Sequence, residues 1–284
     1  MLSTKHSGYE LRSGFYDPKI NIPIFAKNYS NLKKINMASS LKDFTHVDNF
    51  TGYMKIVNSI VLKTGRPNLS ILDVPAGNGL LADSFRKRGH QVTCADINSE
   101  RKDFDYVNME QKFPYKDETF DVVSCLEGIE HVIDPHLLIS ELCRITKPNG
   151  FIILSMPNVQ SFYSRLKFLC TGIFYGFEPE NPRHLKGRMI DRGHISSLSL
   201  VQLTYLFGEY DFKPQLVTGD KIKKKILFPF YAILYIINVL SLLFRSMRTD
   251  DPDLKSFYKH LRSFRCLMSR SLIGVFGKSK IDNL

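Results

Sequence analysis

No C-x-x-C pair occurs in the 284 residues, and the five cysteines (Cys94, Cys125, Cys143, Cys170 and Cys266) are odd in number. That argues against a zinc site and a disulfide framework. Cysteines inside apolar runs such as 122–126 read instead as buried thiols of a reducing compartment. A secretory signal is also missing, because residues 1–8 are polar, and a cytoplasmic body is expected. The chain contains no internal repeat and no low-complexity tract. Acid is scarce in the last quarter: residues 221–284 hold thirteen Lys/Arg against four Asp, a net +9 out of +11 for the whole chain. Residues 1–220 therefore carry only +2. A near-neutral body with a basic tail points to an anionic partner for the tail, either a phospholipid surface or nucleic acid. An apolar content of 43% is ample for a buried core, and 24% charged residues is ordinary.

Residues 1–45 are polar with scattered aromatics and are expected to form an irregular lead-in. Asp48 or Asn49 is placed to cap a helix whose apolar face is Tyr53, Ile56, Val57, Ile60 and Val61. Strands and helices then alternate. The apolar runs at 70–74, 91–95, 120–126 and 151–156 read as strands, with a weak late strand at 216–218. The stretches 80–88, 135–145 and 199–207 read as helices. Short strands separated by helices of about ten residues predict an α/β fold, doubly wound, with a mostly parallel sheet over residues 46–220.

The most informative stretch is Ile71-Leu72-Asp73-Val74-Pro75-Ala76-Gly77-Asn78-Gly79. A buried strand runs into an acid, then a glycine turn, then a helix, and in a doubly wound sheet ligands collect at such strand ends. Gly77 and Gly79 let backbone approach a ligand closely. Asp73 is placed to accept from loop amides or from a cationic amine. About twenty residues on, Asp96 ends the second strand, where a carboxylate can take both hydroxyls of an adenosine ribose. The loop lacks G-x-G-x-x-G, so it does not suit the pyrophosphate of a dinucleotide.

These residues resemble the class I S-adenosylmethionine-dependent methyltransferases, over roughly 68–218, and within them the ubiquinone-pathway-like O-methyltransferase branch. The resemblance implies a Rossmann-like fold with a seven-stranded type of sheet. It also implies S-adenosylmethionine as cofactor. Asp73, Ala76, Gly77 and Gly79 match the loop that carries the methionine part, Asp96 matches the ribose acid, and Asn108-Met109 fall where an acid and an apolar residue bracket adenine. Two positions depart from the pattern. Pro75 replaces a glycine and removes an N–H, and Asn108 replaces an Asp while keeping an acceptor oxygen. The blocks Phe120-Asp121-Val122-Val123, Glu127-Gly128-Ile129-Glu130-His131-Val132 and Lys147-Pro148-Asn149-Gly150-Phe151-Ile152 resemble the family's fourth strand, next helix and fifth strand.

Glu127, Glu130 and His131 stand at i, i+3 and i+4, one face of a helix if it begins near Glu127. Two carboxylates and an imidazole form a candidate Mg²⁺ site, and a similar E-x-x-E-H element ligates metal in the family's ubiquinone-pathway and small-RNA 2′-O-methyltransferases. A structural, cofactor-lining role is the alternative. His131, His194 and Glu127 are the candidate catalytic groups, with His194 a general base or a further ligand. His184 reads as a solvated loop residue. The aromatic-rich segment 160–181 is expected to cover the acceptor, or else to pack as a core helix.

The uncharged nineteen-residue run 226–244 is flanked by Lys221, Lys223, Lys224 and Lys225 and by Arg245 and Arg248. Positive charge at both ends opposes a crossing. Phe264, Leu267, Met268, Leu272, Ile273 and Phe276 trace a helical stripe beside Arg262, Arg265 and Arg270. Residues 221–284 are thus expected to be an apolar and basic helical appendage, lying on the inner face of a membrane with anionic lipids. Burial in the core or in a dimer is the competing reading. The expected function is methyl transfer to a hydroxyl of a membrane-linked lipid, quinone precursor or lipid-linked glycan. RNA methylation with the tail on phosphates, and a non-catalytic scaffold, are the alternatives.

Overall fold

A computed structural model describes residues 49–97, 102–179 and 193–282. The expected lead-in over 1–45, Asp48, His184 and the end of the 160–181 segment lie outside them. Helix α1 (Gly52–Lys63) starts at Thr51, two residues after the expected cap at Asn49. The elements that follow are β1 (Ser70–Asp73), α2 (Leu80–Arg86), β2 (Gln91–Asp96), β3 (Asp105–Tyr106), β4 (Phe120–Leu126), α3 (Pro135–Ile145) and β5 (Thr146–Pro157). Then come α4 (Phe162–Thr171), α5 (Leu200–Gly208), β6 (Lys213–Gly219), α6 (Phe228–Met247), α7 (Pro252–Leu261), α8 (Phe264–Met268) and β7 (Ser271–Gly277).

Local signals explain the helix starts. Asp134 accepts from Leu137 N–H with Pro135 at the first helical position of α3, the arrangement that proline's missing N–H favours. Ser161 caps α4. Ser199 and Gln202 form a reciprocal capping box at α5.

The seven strands lie in the order β3-β2-β1-β4-β5-β7-β6. Neighbours are parallel except β7, which runs antiparallel to both β5 and β6. On one face Leu72, Val123, Ile152 and Leu154 pack with α3 and α5 through Leu138, Leu142, Leu203 and Phe207. On the other face Ile71, Val122, Phe151 and Ile153 pack with α1 and α2 through Val57, Ile60, Leu81 and Phe85. The sheet is therefore the expected doubly wound α/β type, with helices on both faces.

The C-terminal segment corrects the expected boundary at 220. Residues 46–284 make one unit, and β7 is inserted between β5 and β6 with every residue buried. The expected helical stripe breaks into the short α8 and a strand. Leu272 and Phe276 face one core layer, and Ile273 and Val275 the other. A strand covered on both faces has no polar alternation, so a short apolar run of this kind mimics a buried helix.

Only α6 matches the expected apolar appendage. Its inner side, through Tyr231, packs against Phe162, Leu267 and Met268, while Ile233, Ile236, Ile237 and Phe244 are 58–63% exposed. The helix is long and apolar enough to cross a membrane by length and composition. However, α7, after it, packs Phe257 and Leu261 on the main core and pairs Asp253 with Lys213 of β6. Since β7 completes the same sheet, a single crossing by α6 would strand α7 and β7 on the wrong side.

Candidate active site

Successive strands diverge to opposite sides of the sheet between β1 and β4, and this switch point opens a crevice at their C-terminal ends. The crevice there has apolar walls from Val74, Ile97, Val107, Met109 and Val132. Its polar lining comes from Asp96, Asn108, Glu110 and His131. Ile97, Glu110 and Val132 were not singled out by their sequence context.

The glycine loop builds one wall. Ala76 N–H donates to Ala95 O at 2.9 Å, tying the end of β1 to β2, and Gly79 N–H donates to Ala76 O at 2.8 Å to close the turn. Gly77 and Gly79 hold φ of 56° and 79°, a conformation glycine adopts without strain. Gly77 N–H donates to Asp96 Oδ2 at 2.8 Å. The loop and the acid, separated in sequence, are thus bonded directly to each other. Of the loop, Val74 and Pro75 line the crevice, while Asp73, Ala76, Gly77 and Gly79 form the turn that carries them.

Pro75 follows a cis peptide bond, and its ring lies against Gly128. A Cβ on Gly128 would stand 2.6 Å from Pro75 Cδ and 3.4 Å from Met109 Sδ. Asp73 is 3% exposed, and burial pushes its carboxyl up to about 7, with the Asp96 charge adding to the shift. Asn108 Oδ1 accepts Glu110 N–H at 2.9 Å, and an amide oxygen keeps a second acceptor direction.

Beside His131 the expected E-x-x-E-H face is rearranged. Glu127 holds a left-handed φ of 48°, and the chain continues as a 3-10 turn over Ile129–His131 rather than an α-helix from Glu127. The i, i+3, i+4 spacing therefore does not place three side chains on one face. The ligand atoms of Glu130, His131 and His194 lie within 4.8 Å of one another, and Glu127 is outside that group. Glu127 Oε1 accepts from Ser155 Oγ at 2.9 Å. Burial raises its carboxyl, and the Arg270 charge opposes that rise. Arg270 is fixed by Asp220 through Nη2 at 2.9 Å and Nε at 3.0 Å. Sequence alone gave no signal for this pair.

Glu130 is fully buried, and neither of its carboxylate oxygens has a hydrogen-bond partner. Burial pushes its carboxyl well above the usual range, with Glu127 adding to the effect. His131 Nδ1 lies 3.1 Å from Gly193 O, and His194 Nδ1 bonds Gly176 O. A carbonyl partner requires Nδ1 to carry the proton, which assigns the lone pair of each ring to Nε2. The two rings meet edge to face at 4.7 Å.

Comparison with known proteins gives a family. Residues 44–217 match the family described as a methyltransferase domain. The ubiquinone biosynthesis O-methyltransferase of Colwellia psychrerythraea is 33% identical over 116 residues, 36% of this chain and 47% of that protein. That of Photobacterium profundum is 34% identical over 102 residues, 31% of this chain and 43% of that protein. The chain thus spans about half the length of the curated relatives it matches. A SAM-dependent methyltransferase structure from Methanosarcina mazei aligns over 78% of this chain and 97% of its own, at 15% identity and a TM-score of 0.49. By the family match, which covers more than half its length, the chain belongs to the methyltransferase-domain family.

Proposed function

We propose that the protein transfers a methyl group from S-adenosylmethionine to a hydroxyl of a membrane-linked acceptor, at the inner face of a membrane. The observation that carries this reading is Asp96 at the end of an apolar slot, locked to the glycine loop by Gly77 N–H. An adenine ring suits walls of Val74, Ile97, Val107 and Met109, and the ribose hydroxyls suit the Asp96 carboxylate. Asn108 serves the base edge, and Asp73, buried in the turn beneath the crevice, supports the loop. The residues present therefore fit the cofactor.

S-adenosylmethionine, when bound, supplies a methyl carbon activated by a sulfonium. The chain's task is alignment and water exclusion. An acceptor hydroxyl attacks that carbon in line, the C–O bond forming as the C–S bond breaks. Its proton passes to Nε2 of His131 or His194, whose Nδ1–H groups stay on carbonyls. Glu127, held by Ser155 beside Arg270, positions this wall and is not the base.

Glu130, His131 and His194 also fit a divalent cation, because an unpartnered buried carboxylate and two oriented imidazoles form a ligand set. Two nitrogens and one oxygen suit Zn²⁺ or Mn²⁺ better than the oxygen-loving Mg²⁺. Such an ion would lower the acceptor hydroxyl's pKa. If so, Zn²⁺ or Mn²⁺ raises the melting temperature of the wild type and not of His194→Ala. Equal shifts in both would remove the ion from the account.

The exposed apolar side of α6 and the basic residues around it support contact with anionic lipids, and that apolar side does not suit a phosphate-covered RNA. Methyl-labelled S-adenosylmethionine incubated with cell membranes should label a lipid-extractable product. Label confined to RNA or protein would overturn the acceptor assignment.

A further inference from the structure

The membrane-facing helix and the histidine pair are joined by a short, continuous set of contacts. Tyr175 packs at a tilt against Tyr163 of α4, with ring centroids 5.4 Å apart, and its N–H donates to Ser164 Oγ at 3.0 Å. The next residue, Gly176, supplies the carbonyl that holds His194 Nδ1. On the other side of Tyr175, Lys223 places its ammonium 5.4 Å from the ring centroid. Lys223 immediately precedes the turn into α6, whose Tyr231 packs on Phe162 of α4. Arg165, also on α4, lies over Phe162 at 5.8 Å.

Neither Lys223 nor Arg165 has a carboxylate partner among the described residues, although both rest on aromatic rings. Arg144 and Arg270, also half-buried, are paired with Glu141 and Asp220, whereas Arg262, like Lys223, has no carboxylate partner among the described residues. A half-buried lysine held on a ring face, with no internal anion, is suited to an external one, and the exposed Arg165 stands nearby. The same edge continues into the exposed apolar side of α6, so the anion-binding point and a hydrocarbon surface adjoin. Tyrosines and lysines at such a boundary match the headgroup layer of a bilayer. Lys223 and His194 are separated by the Tyr175–Gly176 step.

We propose that the acceptor is itself an anionic amphiphile, whose phosphate rests on Lys223 at the Tyr175 ring with Arg165 nearby. Its hydrocarbon chain lies along α6, and its hydroxyl reaches the His131–His194 pair. This deepens the reading of the site as a methyltransferase with a membrane-linked acceptor and rests on it. Lys223 is a specificity residue, since it touches the acceptor's anion and not the reacting atoms.

The test uses the full chain and methyl-labelled S-adenosylmethionine. A total lipid extract is split by anion exchange into neutral and acidic fractions, and each is presented in neutral detergent micelles. Label should enter the acidic fraction. With that fraction as acceptor, Lys223→Ala should raise KM on the order of tenfold at unchanged kcat, and Lys223→Arg should restore it. Lys63→Ala, at the exposed end of α1 and away from the rings and α6, should change neither. Label in the neutral fraction alone, or an unmoved KM in Lys223→Ala, overturns the anionic acceptor while leaving the methyltransferase reading standing. No label in either fraction overturns both. Wild type and variant binding equally to phosphatidylcholine vesicles, and differing only with the acidic acceptor, would place the anion on the acceptor. A loss of vesicle binding that by itself accounts for the KM change would place it on bulk lipid and overturn the proposal.

Discussion

Ending the chain after Leu261 should unfold the whole domain, not merely detach it from a membrane. The truncation removes β7, whose Leu272, Ile273, Val275 and Phe276 are at most 1% exposed. Full burial of such side chains stabilises by about 1.5–3 kcal/mol each, so the four contribute about 6–12 kcal/mol. That is comparable to the whole stability of a domain, about 5–15 kcal/mol. The cut also leaves β5 and β6 with unpaired edges facing each other. By contrast, Ile236→Ser with Ile237→Ser on the exposed side of α6 should cost only about 0.5 kcal/mol each. Circular dichroism melts distinguish the two. The truncated chain should show no cooperative transition, and the double variant should melt within a few degrees of wild type. A 1–261 chain that melts cooperatively near the wild-type temperature would refute the placement of β7 and restore the tail as an appendage.

Two further outcomes follow from the crevice. Gly128→Ala forces a Cβ to within 2.6 Å of Pro75, so the ring must move. S-adenosylmethionine affinity should fall about tenfold or more, with a stability cost of about 1–3 kcal/mol; unchanged affinity would mean that Pro75 does not shape the slot. Asp73 has a folded-state pKa of about 7, raised by burial above the value of 3.8 for an unhindered aspartate. The folded protein therefore binds more protons at this site, and stability falls as pH rises from about 4 to about 7, then levels off. Asp73→Asn should remove that slope, measured as the difference in melting temperature between variant and wild type across pH 5–8. A difference that does not change with pH would show that Asp73 titrates normally.

Much of this organisation was legible in the sequence, and the exceptions share a cause. β4 and α3 fall at the expected residues because Phe120–Leu126 is a continuous apolar run and Asp134-Pro135 is a helix start written in adjacent residues. Asp73, the glycine turn and Asp96 were readable because strand, acid and turn follow one another locally. β7 was misread because a strand buried on both faces offers no period of two. Glu127 left its expected neighbours because spacing identifies a face only once the backbone is known to be helical, and its left-handed φ breaks that condition. His194 meets Glu130 from 64 positions away, and Arg270 meets Asp220 from 50. No local pattern encodes contacts made by the closing of the sheet.

The proposed function requires Asp96 to grip the cofactor's ribose. Calorimetric titration of S-adenosylmethionine into wild type and Asp96→Ala, each verified by its melting curve to be folded, tests this most directly. Loss of two charge-assisted hydrogen bonds, about 1.5–3 kcal/mol each, predicts affinity lower by on the order of a hundredfold or more. Equal affinity in a folded variant, or no binding by the wild type, would contradict it.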